Sequence, residues 1–259
     1  MSAPEIKKRN NLVVVITGGA NGFGRFLAGR FLDKECIVNI IDIVKSERPG
    51  NQKFNSYHAD ISNTEDVKSI FKDIYERYGK IDVLINNAAK RYFSSLQNAH
   101  LEDIFETIKI NITANYITSI EALKYMRKNN FGRIINVSSN SSFRGYQEGS
   151  IYCATKAALN IFTEAVAKEL KNGAGITITA VCPSSMDLKM WSSKNDPEGT
   201  CGQIKPERVF KVIYKIINSG LNGEIIPVIS LRIYLSHFLY QVMKFLKWGR
   251  YFLEGVFRD

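Results

Sequence analysis

Short, uniformly apolar runs alternate with longer stretches in which apolar residues recur every three or four positions. Leu12 to Ile16 is β-branched and apolar throughout, the signature of a strand covered on both faces. Similar runs follow at Ile37 to Ile41, ending on Asp42; at Ile81 to Ile85, closed by Asn86 and Asn87; at Arg133 to Val137; at Ile176 to Val181, stopping at Pro183; and at Glu224 to Val228. Helices are predicted between them, over Arg25–Lys34, Thr64–Tyr78, Leu101–Asn129, Ile151–Lys171 and Pro206–Ser219. In the second of these, Val67, Ile70, Phe71 and Ile74 share one face, and Ser62 or Asn63 is placed to cap the start. Strand and helix in strict alternation call for an α/β fold: a doubly wound parallel sheet with helices on both faces. No repeat or Pro/Ser-rich linker interrupts it. Residues 1–229 therefore read as one domain, with a polar stretch at 184–205 as its candidate substrate loop.

The pattern changes from Ser230 onward. Leu231, Tyr234, Leu235, Phe238, Leu239, Val242, Phe245 and Leu246 form an apolar stripe at helical spacing, and Lys244, Lys247 and Arg250 cluster with Trp248 and Tyr251. Only 11 residues separate Arg232 from Lys244, whereas a span needs about 20 apolar residues. Residues 230–259 thus predict an amphipathic extension that lies on a membrane surface or packs on protein.

Composition narrows the classes. Hydrophobic residues make up 45% and charged residues 23%, a globular balance. The net charge of +10 is spread along the chain without a nucleic-acid motif, so it reads as a basic soluble surface and no nucleic-acid partner is expected. Cys36, Cys153, Cys182 and Cys201 are widely spaced and form no C-x-x-C pair. They suggest reduced thiols with neither a disulfide framework nor a zinc site. The N-terminal residues contain no apolar leader, which together with the thiols suggests a cytoplasmic protein, peripheral at a membrane if the extension docks there.

Candidate chemistry begins where the first strand runs into Thr17-Gly18-Gly19-Ala20-Asn21-Gly22-Phe23-Gly24. Glycines there allow a tight turn and close backbone approach to a pyrophosphate, and the next helix offers free N–H groups to that anion. Between a strand and a helix, such a loop is the nucleotide-binding signature of a Rossmann-type fold. Asp42, at the end of the second strand, can accept hydrogen bonds from both ribose hydroxyls of NAD and would repel the extra phosphate of NADP. Asn21, not a cation, precedes Gly22, although Arg25 or Lys45 is near enough in sequence to compete.

Tyr152 and Lys156 stand four residues apart, on one face of a predicted helix. An ammonium beside a phenol favours the phenolate and suits the pair to exchange a proton with an alcohol or carbonyl. Ser138-Ser139 lies upstream, and Asn111 and Asn86-Asn87-Ala88-Ala89 lie further upstream. In this order the segments resemble the classical short-chain dehydrogenases over residues 11 to 228. The resemblance implies direct hydride transfer between a nicotinamide and a secondary alcohol or ketone, without a metal. Tyr152 would be the general acid/base, and Lys156 would bind the nicotinamide ribose and lower the tyrosine pKa. Ser139 would hydrogen-bond the substrate oxygen, and Asn111 would hold a water of a proton relay. The implied cofactor set is Thr17, Gly18, Asn21, Gly22, Phe23, Gly24, Asp42, Asp60, Ile61, Asn87, Ala88, Tyr152, Lys156 and Pro183, and a homodimer or homotetramer is implied through the long helices. Two departures stand out. Ala89 replaces the usual glycine, and Ser184 and Leu188 stand where the family has a glycine and a threonine near the nicotinamide.

Lys90, Arg91 and Arg144 lie near the expected site edge with Tyr92, Phe93, Phe143 and Tyr146. They fit an anionic, sugar- or lipid-linked substrate or an ordinary surface. A dinucleotide-sensing or scaffolding protein on the same fold is the alternative to an enzyme; the intact Tyr152, Lys156, Ser139 and Asn111 favour the enzyme.

Overall fold

The computed structural model describes residues 11–46, 51–170, 175–186 and 204–229. Seven strands make one sheet: β1 (Val13–Thr17), β2 (Ile37–Asp42), β3 (Phe54–His58), β4 (Val83–Asn86), β5 (Gly132–Val137), β6 (Ile176–Pro183) and β7 (Ile225–Val228). Their order is β3-β2-β1-β4-β5-β6-β7, and every pair is parallel. Six α-helices cross between strands: α1 (Gly22–Leu32), α2 (Thr64–Tyr78), α3 (Leu101–Ile108), α4 (Ala114–Lys128), α5 (Ser150–Glu169) and α6 (Pro206–Ile217). The doubly wound α/β architecture read from the hydropathy pattern is therefore the fold observed.

Side-chain alternation in the strands explains the two layers. Val14, Ile16, Val38 and Ile40 point to one face, where they pack with Leu27 and Phe31 of α1 and Phe210 and Ile213 of α6. Their neighbours Val13, Val15 and Ile41 point to the other face, against Phe71 and Ile74 of α2, Met126 of α4 and Phe162 of α5. Both faces are covered, so the central strands must be apolar at every position.

From β1 the chain winds outward to β3, then returns to the other side of β1 as β4. The connections after β1 and β4 run to opposite faces of the sheet, and sheets of this kind bind ligands in the crevice outside the carboxyl ends at such a switch point.

Three local features differ from the sequence-based expectation. β3 was not predicted, because Phe54-Asn55-Ser56-Tyr57-His58 is an edge strand without an apolar run; none of its residues is fully buried. Helix α1 starts at Gly22 rather than Arg25, its first turn being the glycine loop itself. The single long helix expected from Leu101 to Asn129 is two helices, separated by a wide π turn over Lys109–Thr113. Of the two candidate caps for α2, Asn63 serves: its side chain accepts from the Glu65 and Asp66 amides.

Among the described residues no helix is long and apolar enough to cross a membrane. The predicted extension over 230–259 and most of the substrate loop lie outside the described residues.

Candidate active site

The glycine loop is shaped by contacts that tolerate no side chain. Gly18 has φ +65°, and a Cβ on it would lie 2.8 Å from the Ala88 Cα. A Cβ on Gly24 would lie 2.0 Å from the Gly18 carbonyl oxygen, so α1 can begin this close to the turn only with glycine there. Thr17 and Asn87 join the two loops. The Thr17 hydroxyl accepts from the Asn87 and Ala88 amides at 3.0 and 3.1 Å, and Asn87 Nδ2 donates to the carbonyls of Thr17 and Gly18, both at 3.0 Å.

The start of α1 is left open for an anion. Asn21 makes no side-chain cap bond, and no acidic residue occupies the first turn. Among the described residues, the helix-start N–H groups and the positive end of the helix dipole thus meet no side-chain cap or first-turn carboxylate. Phe23 contributes only backbone here, since its ring is buried in the core and stacks on Phe26. A tight glycine cradle, an uncapped helix start and no first-turn carboxylate fit a dinucleotide pyrophosphate.

Asp42 closes β2 beside this loop. Its Oδ2 accepts from the Ala20 amide and its Oδ1 from the Val44 amide, both at 2.9 Å. The carboxylate is therefore held in one orientation, and each oxygen keeps lone-pair capacity for a ligand hydroxyl. Farther along the same rim, Asp60 binds the Ser62 amide and hydroxyl. Burial pushes the Asp60 carboxyl up, but the Ser62 bonds and Lys109, 3.8 Å away, outweigh it and leave the group below the usual range. Ile61 faces inward as part of the core.

The catalytic candidates converge on the first turns of α5. Lys156 is 3% exposed, and its Nζ donates to the Val137 carbonyl at 2.8 Å. Burial pushes the ammonium down to about 8, and the nearby Cys182 opposes this weakly. Lys156 Nζ lies 5.9 Å from the centre of the Tyr152 ring. Ser139 follows β5 on the segment packed against α5; its Oγ accepts from the Ser141 amide and lies 3.0 Å from the Ser141 hydroxyl.

Asn111 is fully buried in the π turn, and its side chain is already committed. Oδ1 accepts from the Lys90 amide at 2.8 Å, while Nδ2 donates to the Lys90 carbonyl and to Thr155 Oγ1, at 2.9 and 3.1 Å. Thr155 Oγ1 in turn donates to the Tyr152 carbonyl at 2.9 Å. Asn111 thus ties the loop after β4 to the second turn of α5. Its own carbonyl accepts from Asn115 Nδ2 at 2.7 Å.

Several members of this assembly were not anticipated. Thr155 and Asn115 sit among helical residues whose polarity alone gives no partner. Phe93, expected at the site edge, packs on Tyr152 with centroids 5.6 Å apart. Beneath the site a buried polar belt crosses the sheet: Asn86 Nδ2 donates to Asn136 Oδ1, Asn136 Nδ2 to Thr163 Oγ1, and Thr118 Oγ1 to Asn86 Oδ1. Pro183 ends β6 opposite Val228, and the next residue, Ser184, carries a buried Oγ with no hydrogen-bond partner.

A parallel sheet with this strand order, a glycine cradle at its reversal point and a Tyr/Lys pair on the helix after β5 are the features of a nucleotide-dependent enzyme class. The profile of the short-chain dehydrogenases matches residues 12–199. The chain belongs to that family. It is 31% identical over 190 residues to a 3beta-hydroxysteroid dehydrogenase of Mediterraneibacter gnavus, covering 69% of this chain and 67% of the relative. It is 30% identical over 237 residues to a meso-2,3-butanediol dehydrogenase of Serratia marcescens, covering 85% and 93%. Among solved structures, ElxO with NADP bound superposes with a TM-score of 0.77 at 26% identity, over 84% of this chain and 97% of that one.

Proposed function

We propose that the protein is an NAD-dependent oxidoreductase that interconverts a secondary alcohol and a ketone, with Tyr152 as the general acid/base. The observation that carries this reading is the Lys156 ammonium, buried and 5.9 Å from the Tyr152 ring, on the helix that follows β5. The relatives named as dehydrogenases of a hydroxysteroid and of butanediol support an alcohol or ketone substrate. A bound nicotinamide dinucleotide supplies or takes up the hydride.

The protein's own groups hold the reactants and move the proton. Backbone N–H groups of the loop at Gly22 to Gly24, together with Thr17, Gly18, Asn87 and Ala88, hold the pyrophosphate side. Asp42 takes the ribose hydroxyls at one end and Lys156 those at the other. The Lys156 ammonium has N–H capacity beyond its bond to Val137. Ser139 Oγ holds the substrate oxygen, and the Tyr152 hydroxyl exchanges a proton with it. NAD is favoured over NADP because the carboxylate of Asp42 would face the additional phosphate, even though ElxO was solved with NADP.

We also infer assembly as a homodimer or homotetramer. Leu101, Phe105, Tyr116, Ile120 and Ile161 are exposed apolar residues on α3, α4 and α5, the helices expected to pair.

Tyr152→Phe tests the main reading. It keeps the ring and removes the hydroxyl. Turnover of an alcohol substrate should fall by about 100-fold or more, with dinucleotide binding retained in a fluorescence titration. Undiminished turnover would remove the assignment. Wild-type protein that binds the dinucleotide and turns over no alcohol or ketone in a broad panel would favour a sensor.

A further inference from the structure

Tyr152 is faced by two cations. Lys156 Nζ lies 5.9 Å from the ring centre and the Arg91 guanidinium carbon 6.0 Å from it. The lysine reaches it from within α5, the arginine from the segment after β4. Arg91 also lies over the Phe93 ring at 5.0 Å, and Phe93 packs against Tyr152 and Tyr146. The aromatic group that walls the tyrosine therefore also seats the guanidinium.

The backbone that delivers Arg91 is fixed on the preceding residue. The Lys90 amide and carbonyl are both held by the Asn111 side chain, and Lys90 Nζ is paired with Asp103 and Glu106 of α3. Lys90 is thus matched by carboxylates on α3, and the Arg91 side chain that follows it reaches the tyrosine ring.

We infer that Arg91 is a positioning residue for proton transfer, a second cation that, together with Lys156, favours the phenolate form of Tyr152. The inference rests on the reading of Tyr152 as the general acid/base. A cation over an aromatic face is attracted to the ring's π electrons, and more strongly once the ring carries a phenolate charge. Arginine is suited to the task because a guanidinium stays charged over the whole working range. Lys156, pushed down to about 8 by burial, loses its charge over the alkaline part of that range. Among the described residues, titratable groups on the elements around the pair include Tyr146 before α5, Cys153 within α5, Cys182 at the end of β6, and Asp103 and Glu106 on α3. Cys182 is pushed up by burial and so stays a neutral thiol near pH 7. The two carboxylates are engaged by Lys90.

At about 6 Å, a unit charge shifts a neighbouring titration by about 0.5 to 2 pH units, depending on how much water screens it. The test is the pH dependence of kcat/KM for alcohol oxidation in the wild type, Arg91→Met and Arg91→Lys. Removing the cation should move the rising limb to higher pH by that amount. Arg91→Lys should recover most of the shift, because charge rather than guanidinium shape is what acts. A second reading needs no turnover: the phenolate absorbance of each protein minus that of its Tyr152→Phe counterpart isolates the Tyr152 titration. A titration in Arg91→Met at the wild-type pH, or an equal displacement in Arg91→Lys, would overturn the inference and leave Tyr152 as the acid/base untouched. Full activity of Tyr152→Phe would overturn the underlying reading instead.

Discussion

At the residue scale, the site uses a few side chains whose freedom has been removed. Asp42 is held by the Ala20 and Val44 amides, so its carboxylate meets a ligand in one orientation. Dinucleotide titrations should show tighter binding of NADH than of NADPH, by about tenfold for each 1.4 kcal/mol of discrimination. Asp42→Ala should narrow that gap from both sides. It removes a ribose acceptor and a repulsive charge, and it leaves the Ala20 amide without its partner. Tighter binding of NADPH by the wild type would mean that Arg25 or Lys45 governs the choice. Asn111 illustrates the same restriction more strongly. Resemblance assigned it a water of a proton relay. Its side-chain groups are bonded to Lys90 and Thr155, so in addition to that expected role it braces the loop after β4 against the start of α5.

At the scale of elements, the junction between β1 and α1 has no room for an added side chain. The Cβ of Gly24→Ala would meet the Gly18 oxygen at 2.0 Å and Asn87 Nδ2 at 2.7 Å. Relief requires the helix start to move away from the turn and the Asn87 bridge to part. Dinucleotide affinity should drop by about tenfold or more, and overpacking of this kind costs about 1 to 3 kcal/mol of stability. An unaltered affinity measured by titration would show that this helix start does not hold the ligand. The elements most legible in the sequence are those buried on both faces, because burial forces apolar residues at every strand position. The glycine loop was legible for a related reason: steric contacts permit only one residue type there. β3 was hidden because an edge strand keeps one side open to water and needs no apolar run. Arg91 over Tyr152 was hidden because the contact joins a loop after β4 to a helix after β5, and no local spacing reports it.

At the scale of the whole molecule, an apolar surface remains to be accounted for. Phe105 is 64% exposed on α3 and Ile161 64% exposed on α5, an exposure that pairing of subunits would remove. Sedimentation should therefore find a species of twice or four times 29.3 kDa at micromolar protein. A lone monomer would refute the assembly. The same preparation addresses the extension over 230–259, whose aromatic and basic stripe suits a lipid surface or a protein one. Full-length protein should float with anionic vesicles while a chain ending at Ile229 stays behind. If both stay behind and the shortened chain dissociates into monomers, the stripe serves the subunit contact.

The π turn over Lys109–Thr113 sets the rotational phase between two helices. Each residue of an α-helix advances the chain by about 100° around its axis. The wide turn holds a surplus of chain, so α3 and α4 are out of step with one another by a fixed angle. Deleting a single residue there would let one regular helix run from Leu101 to Lys128 and would swing α3 by roughly that angle. Asp103 and Glu106 would then turn away from Lys90, and the Asn111 brace would lose its seat. A one-residue change in length at this turn, with every catalytic side chain intact, is thus equivalent to dismantling the wall beside Tyr152. Its length is under the same constraint as the identity of the residues it positions.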